Sequence, residues 1–223
     1  RLRQIAKEYA GIGASTRQKT LVLAGRRDHR KAITSEIRNI LQRQGKLGDN
    51  SPIQIFRQKN LSAAEIRAGI GMNSNDFLVT AKGHLMPVSE APSQKRVLSK
   101  GNTVLEGGKL DVAIGDRLVW TRNCRQTHFR NGQEFTLVGK DSEHIVIKDR
   151  KGHDHRLSTK QPLYLDHGYV STVYASQGKT ADHTLVFLDN AISKEGLYVA
   201  VSRSKLDVKL FARNKSEIEN TMC

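Results

Sequence analysis

Residues 168–183 read Gly168-Tyr169-Val170-Ser171-Thr172-Val173-Tyr174-Ala175-Ser176-Gln177-Gly178-Lys179-Thr180-Ala181-Asp182-His183. The β-branched and aromatic residues from Tyr169 to Val173 predict a strand, and the small hydroxyl and amide side chains that follow, ending in a glycine, predict the loop that leaves it. Such a loop exposes backbone N–H groups and short donors, which suits phosphates approaching the carboxyl end of a sheet.

Toward the C-terminus the pattern predicts a strand at Leu185 to Leu188, a helix at Lys194 to Val201, a strand at Val208 to Phe211 and a last helix. The segment Leu197-Tyr198-Val199-Ala200-Val201-Ser202-Arg203-Ser204-Lys205 is an apolar helix that ends at an arginine. Guanidinium keeps its charge and donates in a fork, so Arg203 is the candidate for phosphate oxygens. Tyr198 and Val199 are read as core residues of the helix.

Toward the N-terminus, Leu2 to Ala10 has helical spacing and is broken by Gly11 and Gly13. Leu21 to Ala24 predicts a strand, and a helix from near Asp28 carries the stripe Ile33, Ile37, Ile40 and Leu41 up to Gly45. Strand then amphipathic helix is half of a βαβ unit. From Pro52 to about Pro92 the signals are mixed: strands at Ile53 to Phe56 and Phe77 to Thr80, and a short helix capped by Ser62 and Glu65. Between about Ser99 and Leu165, short strands alternate with turns, as in a small β-barrel inserted into the α/β fold. The expected strands are Leu110 to Ala113, Arg117 to Trp120, Glu134 to Val138, Ile145 to Lys148 and His155 to Leu157. Trp120 is read as a core aromatic of that barrel.

The chain has 223 residues and a formal charge of +15, an excess that attracts phosphate polyanions and makes nucleic acid the first partner to test. No apolar run approaches the roughly 20 residues of a spanning helix and no signal peptide is visible, so a cytoplasmic protein without membrane contact is expected. Cys124 and Cys223 stand far apart with no paired partners at metal-ligand spacing, so neither a disulfide framework nor a zinc site is indicated. His153, Asp154 and His155, beside Lys151 and Gly152, are read as a solvated turn, and no metal is assigned. Arg122, Arg125 and Arg130 form either a solvated face or a DNA-facing loop.

Two stretches imitate a P-loop. In Gly13-Ala14-Ser15-Thr16-Arg17-Gln18-Lys19-Thr20, Gln18 replaces the second glycine and the segment precedes a strand instead of following one, so it is read as a polar linker. Gly178-Lys179-Thr180 has the terminal triplet, but Val173 stands where the first glycine is needed.

Residues 168–183 resemble helicase motif V, and Leu197 to Lys205 resembles motif VI. Thr20 to Gly25, Asp28-His29-Arg30 and Ile37-Arg38 are similar to the motif IV region of RecD-like superfamily 1 helicases. Gly115-Asp116-Arg117-Leu118-Val119-Trp120-Thr121-Arg122-Asn123, with Arg130-Asn131-Gly132-Gln133, is similar to conjugative relaxase-helicases of the TraI/TrwC kind. The resemblance implies an α/β fold in which residues 1–98 and 166–223 form a RecA-like, mainly parallel lobe (2A), with 99–165 an inserted SH3-like β-barrel (2B).

By the same resemblance, Arg203 reaches the γ-phosphate, Gln177, Gly178, Thr180 and Arg30 meet the nucleotide, and Thr172, Tyr174 and Ser176 meet DNA. Lys179-Thr180-Ala181-Asp182 stands where RecD-like enzymes usually have Ser-Glu, and Tyr174 stands where they usually have His; an aromatic ring there can stack on a base. The implied parent enzyme uses ATP and Mg²⁺ to move on single-stranded DNA during plasmid conjugation. Its N-terminal helicase lobe and relaxase domain would be partners of this lobe, which by itself would bind no nucleotide tightly and hydrolyse no ATP. The alternative is a non-enzymatic module that docks DNA or a type IV secretion component.

Overall fold

The computed structural model describes residues 1–80, 84–91, 103–124 and 126–212. Chain contacts divide it into two compact units. The first comprises Arg1–Asp49, Gly115–Leu118 and His167–Cys223, and the second Asn50–Ile114 and Val119–Asp166.

The first unit begins with helices α1 (Leu2–Gly11) and α2 (Ala14–Gln18), strand β1 (Thr20–Ala24) and helix α3 (Arg27–Arg43). The segment expected as a polar linker after Gly13 thus folds as the short helix α2, between α1 and β1. All five residues of β1 are buried, as a parallel strand covered on both faces requires. Helix α3 forms because Ile33, Ile37 and Leu41 recur every four residues on its buried side, while Asp28 and Arg43 oppose the helix dipole in the first and last turns. Gly45, at φ +65°, adopts the left-handed conformation that ends a helix without a Cβ clash.

In the second unit, β2 (Ser51–Gln58), β3 (Asp76–Val79), β4 (Leu85–Pro87) and β5 (Thr103–Val112) form an antiparallel sheet in the order β2-β5-β3-β4. Helix α4 (Ala63–Ala68) starts with the expected capping box: Ser62 Oγ accepts from Glu65 N–H, and Glu65 Oε2 accepts from Ser62 N–H at 2.7 Å. Strands β6 (Arg117–Trp120), β7 (Glu134–Lys140), β8 (His144–Asp149), β9 (Asp154–Ser158) and β10 (Leu165–His167) form a five-stranded sheet in the order β10-β6-β7-β8-β9. Trp120, 1% exposed, packs edge-on against Phe129 and Tyr164. It is a core residue, as its place on an alternating strand predicts.

Two expectations differ from this arrangement. Among the described residues both sheets of the second unit are open, and no pairing closes them into a barrel. The expected boundary between 98 and 99 lies outside the described residues, and the compact second unit starts at Asn50. The reason is register: β2 pairs along its whole length with β5, from Ser51↔Val112 to Gln58↔Leu105. Mixed local signals in residues 52–92 concealed that long-range pairing.

The first unit resumes with β11 (Val170–Ser171), β12 (Ala181–Phe187), α5 (Lys194–Val201) and β13 (Ser204–Phe211). With β1 these strands form a fully parallel sheet in the order β11-β1-β12-β13. Leu21, Leu23, Val186 and Leu188 pack with Leu197 and Ala200 of α5. The alternate residue Phe187 meets His29 of α3, with ring centroids 5.1 Å apart, so the two helices cover opposite faces. The last helix expected after Phe211 falls among residues 213–223, outside the described residues, as do Arg125 and Cys223.

Candidate functional site

The loop between β11 and β12 crosses the sheet from its carboxyl edge to its amino edge. Ser171 lies level with Leu23 near the end of β1, whereas Ala181 lies beyond the level of Thr20 at its start. Only Val170 and Ser171 of the predicted Tyr169–Val173 strand pair as β-structure, because the chain then turns inward. Thr172 Oγ1 accepts from Ala175 N–H at 3.0 Å, opening a single 3₁₀ turn over Tyr174–Ser176. Ser176 is fully buried and its hydroxyl donates to Val173 O at 2.6 Å. That hydroxyl is directed into the protein, so Ser176 holds the turn in place and does not face a ligand.

The turn pushes Tyr174 outward, where it is 73% exposed. Gln177, Gly178 and Thr180 are exposed as well. Gly178 sits at φ +78°, a conformation costly for any residue with a Cβ, and a Cβ there would meet nothing within 4 Å. Backbone shape, rather than crowding, selects glycine at this position.

Helix α5 is capped by Ser193, which accepts from Gly196 N–H at 3.1 Å, and it runs back to the amino edge of the sheet. Arg203 follows it directly, partly buried, with Nε donating to Val199 O at 3.2 Å. Its two terminal guanidinium nitrogens have no partner among the described residues. Ala181 N–H donates to Arg203 O at 3.0 Å, and Ala181 pairs with Ser204 as β12 and β13 begin. The two predicted motifs are therefore joined through the main chain.

Arg30 is placed differently. It lies in the first turn of α3, beyond the carboxyl end of β1, while Arg203 lies at the amino edge; seven residues of β12 span roughly 20 Å at about 3.3 Å each. The structure does not bring these two arginines together. Arg30 Nε is buried and has no hydrogen-bond partner, so a donor remains unsatisfied there. Tyr198, expected in the core, is 77% exposed, whereas Val199 packs partly buried against the α5 core. The apolar stripe of so short a helix runs through Leu197 and Ala200, and Tyr198 falls outside it.

Two buried polar clusters were not singled out from the sequence. Asp189, after β12, accepts from Arg26 N–H at 3.0 Å and Ala191 N–H at 3.1 Å, and its Oδ2 lies 2.8 Å from His29 Nδ1. This ties the start of α3 to the loop that precedes α5. Asp116, fully buried, accepts from Arg38 Nε at 2.9 Å and from Tyr169 OH at 2.9 Å. Burial, reinforced by the Asp116 carboxylate, pushes the Tyr169 hydroxyl well above the usual tyrosine range. His29, Arg38, Asp116 and Tyr169 all fall in the helicase-like segments of the sequence, but no local spacing pairs them with one another or with Asp189.

Among the described residues no group of three His, Cys, Asp or Glu side chains could hold a metal ion. The Asp149 carboxyl, although partial burial opposes it, is held below the ordinary range by bonds from His153 N–H, the His155 ring and Lys151 N–H. His153 and His155 thus close a turn around Asp149.

The viral superfamily 1 RNA helicase core domain family matches residues 115–212, a span that includes the β11–β12 loop, α5 and Arg203. The multifunctional conjugation protein TraI of Escherichia coli is 21% identical over 241 residues, covering 95% of this chain. The chain is thus similar to a superfamily 1 helicase region of the TraI type. It spans 14% of the length of that TraI relative. A conjugal transfer protein TraA of Rhizobium radiobacter is 30% identical over 112 residues, covering 49% of this chain and 10% of its own. In fold, the chain is similar to the Pif1 helicase from Bacteroides solved with ADP-AlF3 and ssDNA, with a TM-score of 0.56 and 12% identity over 96% of this chain and 46% of that one. No helix among the described residues is long and apolar enough to cross a membrane.

Proposed function

We propose that this region is the C-terminal motor lobe of an ATP-dependent translocase that moves on single-stranded DNA in conjugative transfer. The observation that supports it most is the main-chain bond between Ala181 and Arg203. It links an exposed loop of phosphate-compatible groups to an arginine whose forked nitrogens are free, at one edge of a parallel sheet.

In this reading the first unit is the RecA-like lobe and the second is a β-rich insertion in it. Arg203 donates to the transferred phosphate, where such an arginine is worth about 10³ to 10⁵ in rate. Gln177, the Gly178 backbone and Thr180 line the nucleotide beside it. Because Arg30 lies at the other edge of the sheet, it is assigned to phosphate there, through its unsatisfied Nε. ATP with Mg²⁺, when bound between this lobe and its N-terminal partner lobe, supplies the phosphoryl transfer that drives movement.

Tyr174 offers its ring to a base, and Thr172 and Ser176 hold the turn that presents it. Titration of this chain with single-stranded DNA tests that assignment. Tyr174→Ala should weaken binding by about 1 kcal/mol or more, and an unchanged affinity would remove the loop from the DNA track.

A further inference from the structure

Residues 1–49 hold twelve Lys and Arg against four Asp and Glu, a concentration of charge for which the loop and Arg203 give no reason. On α3 the exposed residues Arg27, Lys31, Ser35, Asn39 and Arg43 recur every four positions. This ridge runs about 24 Å along the helix, turning about 40° around the axis at each step, at 1.5 Å and 100° per residue. Arg3 Nε lies 3.3 Å from Glu36 Oε1, and Lys46 Nζ donates to Ala10 O at 3.2 Å. These contacts set α1 and α3 side by side in the same direction, so the exposed Lys7 of α1 falls level with the C-terminal half of α3.

Among the described residues, no hydrogen bond or ion pair engages Lys7, Arg27, Lys31 or Arg43. The nearby acids are already occupied. Glu36 pairs with Arg3, and Asp28 with Arg26, whose hydrogen bond holds the Asp28 carboxyl at about 2. The outer surface of the two helices is therefore a basic ridge with free hydroxyl and amide donors along it.

We infer that the outer face of α1 and α3 binds the sugar–phosphate backbone of duplex DNA. Lys and Arg neutralise phosphates, and Ser and Asn add the uncharged donors that backbone contacts commonly use. The exposed side chains of α3 include no aromatic residue, so this face has no platform on which unstacked bases could lie. That favours a duplex, whose bases are already stacked, over a single strand. No exposed apolar side chain of α3 is larger than Ala32, which argues against a membrane surface. The inference does not rest on the roles given to Tyr174 and Arg203.

The test uses this chain and a short blunt duplex, titrated at several salt concentrations. Replacing Lys7, Arg27, Lys31 and Arg43 together by Gln keeps helix propensity nearly constant. A matched control replaces Arg150, Lys151, Arg156 and Lys160 of the second unit by Gln, removing the same charge. The helix variant should lower duplex affinity at least tenfold at moderate salt, and reduce the slope of log affinity against log salt by about 3 to 4, at about 0.9 per phosphate contact. A slope change below about 2, or an equal change in the control, overturns the inference. Should the quadruple variant fail to fold by its melting curve, Lys31→Glu alone replaces it, and unchanged duplex affinity in that folded variant is equally fatal.

Discussion

The amide of Ala181 donates to the carbonyl of Arg203 at 3.0 Å, so the loop that leaves β11 and the arginine that ends α5 share one hydrogen bond. The bond begins the parallel pairing of β12 with β13, which continues to Phe187↔Phe211. Leu21, Leu23, Val186 and Leu188 pack beneath against Leu197 and Ala200 of α5, so a shift of either partner disturbs that packing. The arrangement of loop and arginine is thus a property of the fold.

Removing Asp116 should be among the most damaging single changes to the first unit. The carboxylate is fully buried and bonded to Arg38 and Tyr169, so Asp116→Ala leaves Arg38 charged in a dry site. Loss of one partner of a buried pair costs about 3 to 5 kcal/mol, readable as a lower midpoint in denaturant titration. A change within about 0.5 kcal/mol, the range of an ordinary surface substitution, would show that the cluster is not structural.

The same cluster sets an alkaline limit. Below the ordinary tyrosine value of 10.0 both folded and unfolded chains keep the Tyr169 proton. Above it the unfolded chain releases the proton, while burial and the Asp116 carboxylate keep it on the folded chain, so stability falls as pH rises. Tyr169→Phe should be less stable at neutral pH, having lost the bond to Asp116, yet lose less on passing to pH above about 10. Melting curves across that range decide it, and parallel losses in the two proteins would count against the assignment.

Gly25 is expected to resist any side chain. A Cβ there would lie 2.5 Å from Asp189 Oδ1, 2.9 Å from Ala191 Cβ and 3.0 Å from Ile192 Cγ1. Gly25→Ala should push Asp189 away from Arg26 N–H and His29, at a cost of about 1 to 3 kcal/mol. An unchanged melting temperature would mean that the β12–α5 loop yields freely.

How far the sequence reveals this molecule depends on the range of each interaction. The parallel lobe was legible because β1, α3 and α5 have local periodicity, and α5 was predicted at its observed bounds, Lys194–Val201. Strands β6 to β9 were legible too, since turns such as Asn131-Gly132 separate them. The partner of β2 was not, because pairing with β5 half a hundred residues away leaves no mark on either strand alone. In the candidate site, Tyr174, Gln177, Gly178 and Thr180 lie exposed. Ser176 looks the same in sequence, and only the 3₁₀ turn shows its hydroxyl directed inward. Tyr198 erred the other way: an apolar helix of eight residues buries only one narrow stripe, and the sequence does not say which.

The proposed function is tested most directly by DNA-stimulated ATP turnover of the helicase in which this chain would be the C-terminal lobe, with Arg203 replaced by Ala or by Lys, beside a melting curve on each protein. Arg203→Ala removes one bond, to Val199 O, so stability should fall by about 1 kcal/mol or less. Turnover should fall about 10³-fold or more, because the developing phosphate charge loses its fork of donors, and Lys should restore little of it. Turnover that survives the alanine change, or that collapses together with the melting temperature, would contradict the assignment of Arg203 to phosphate.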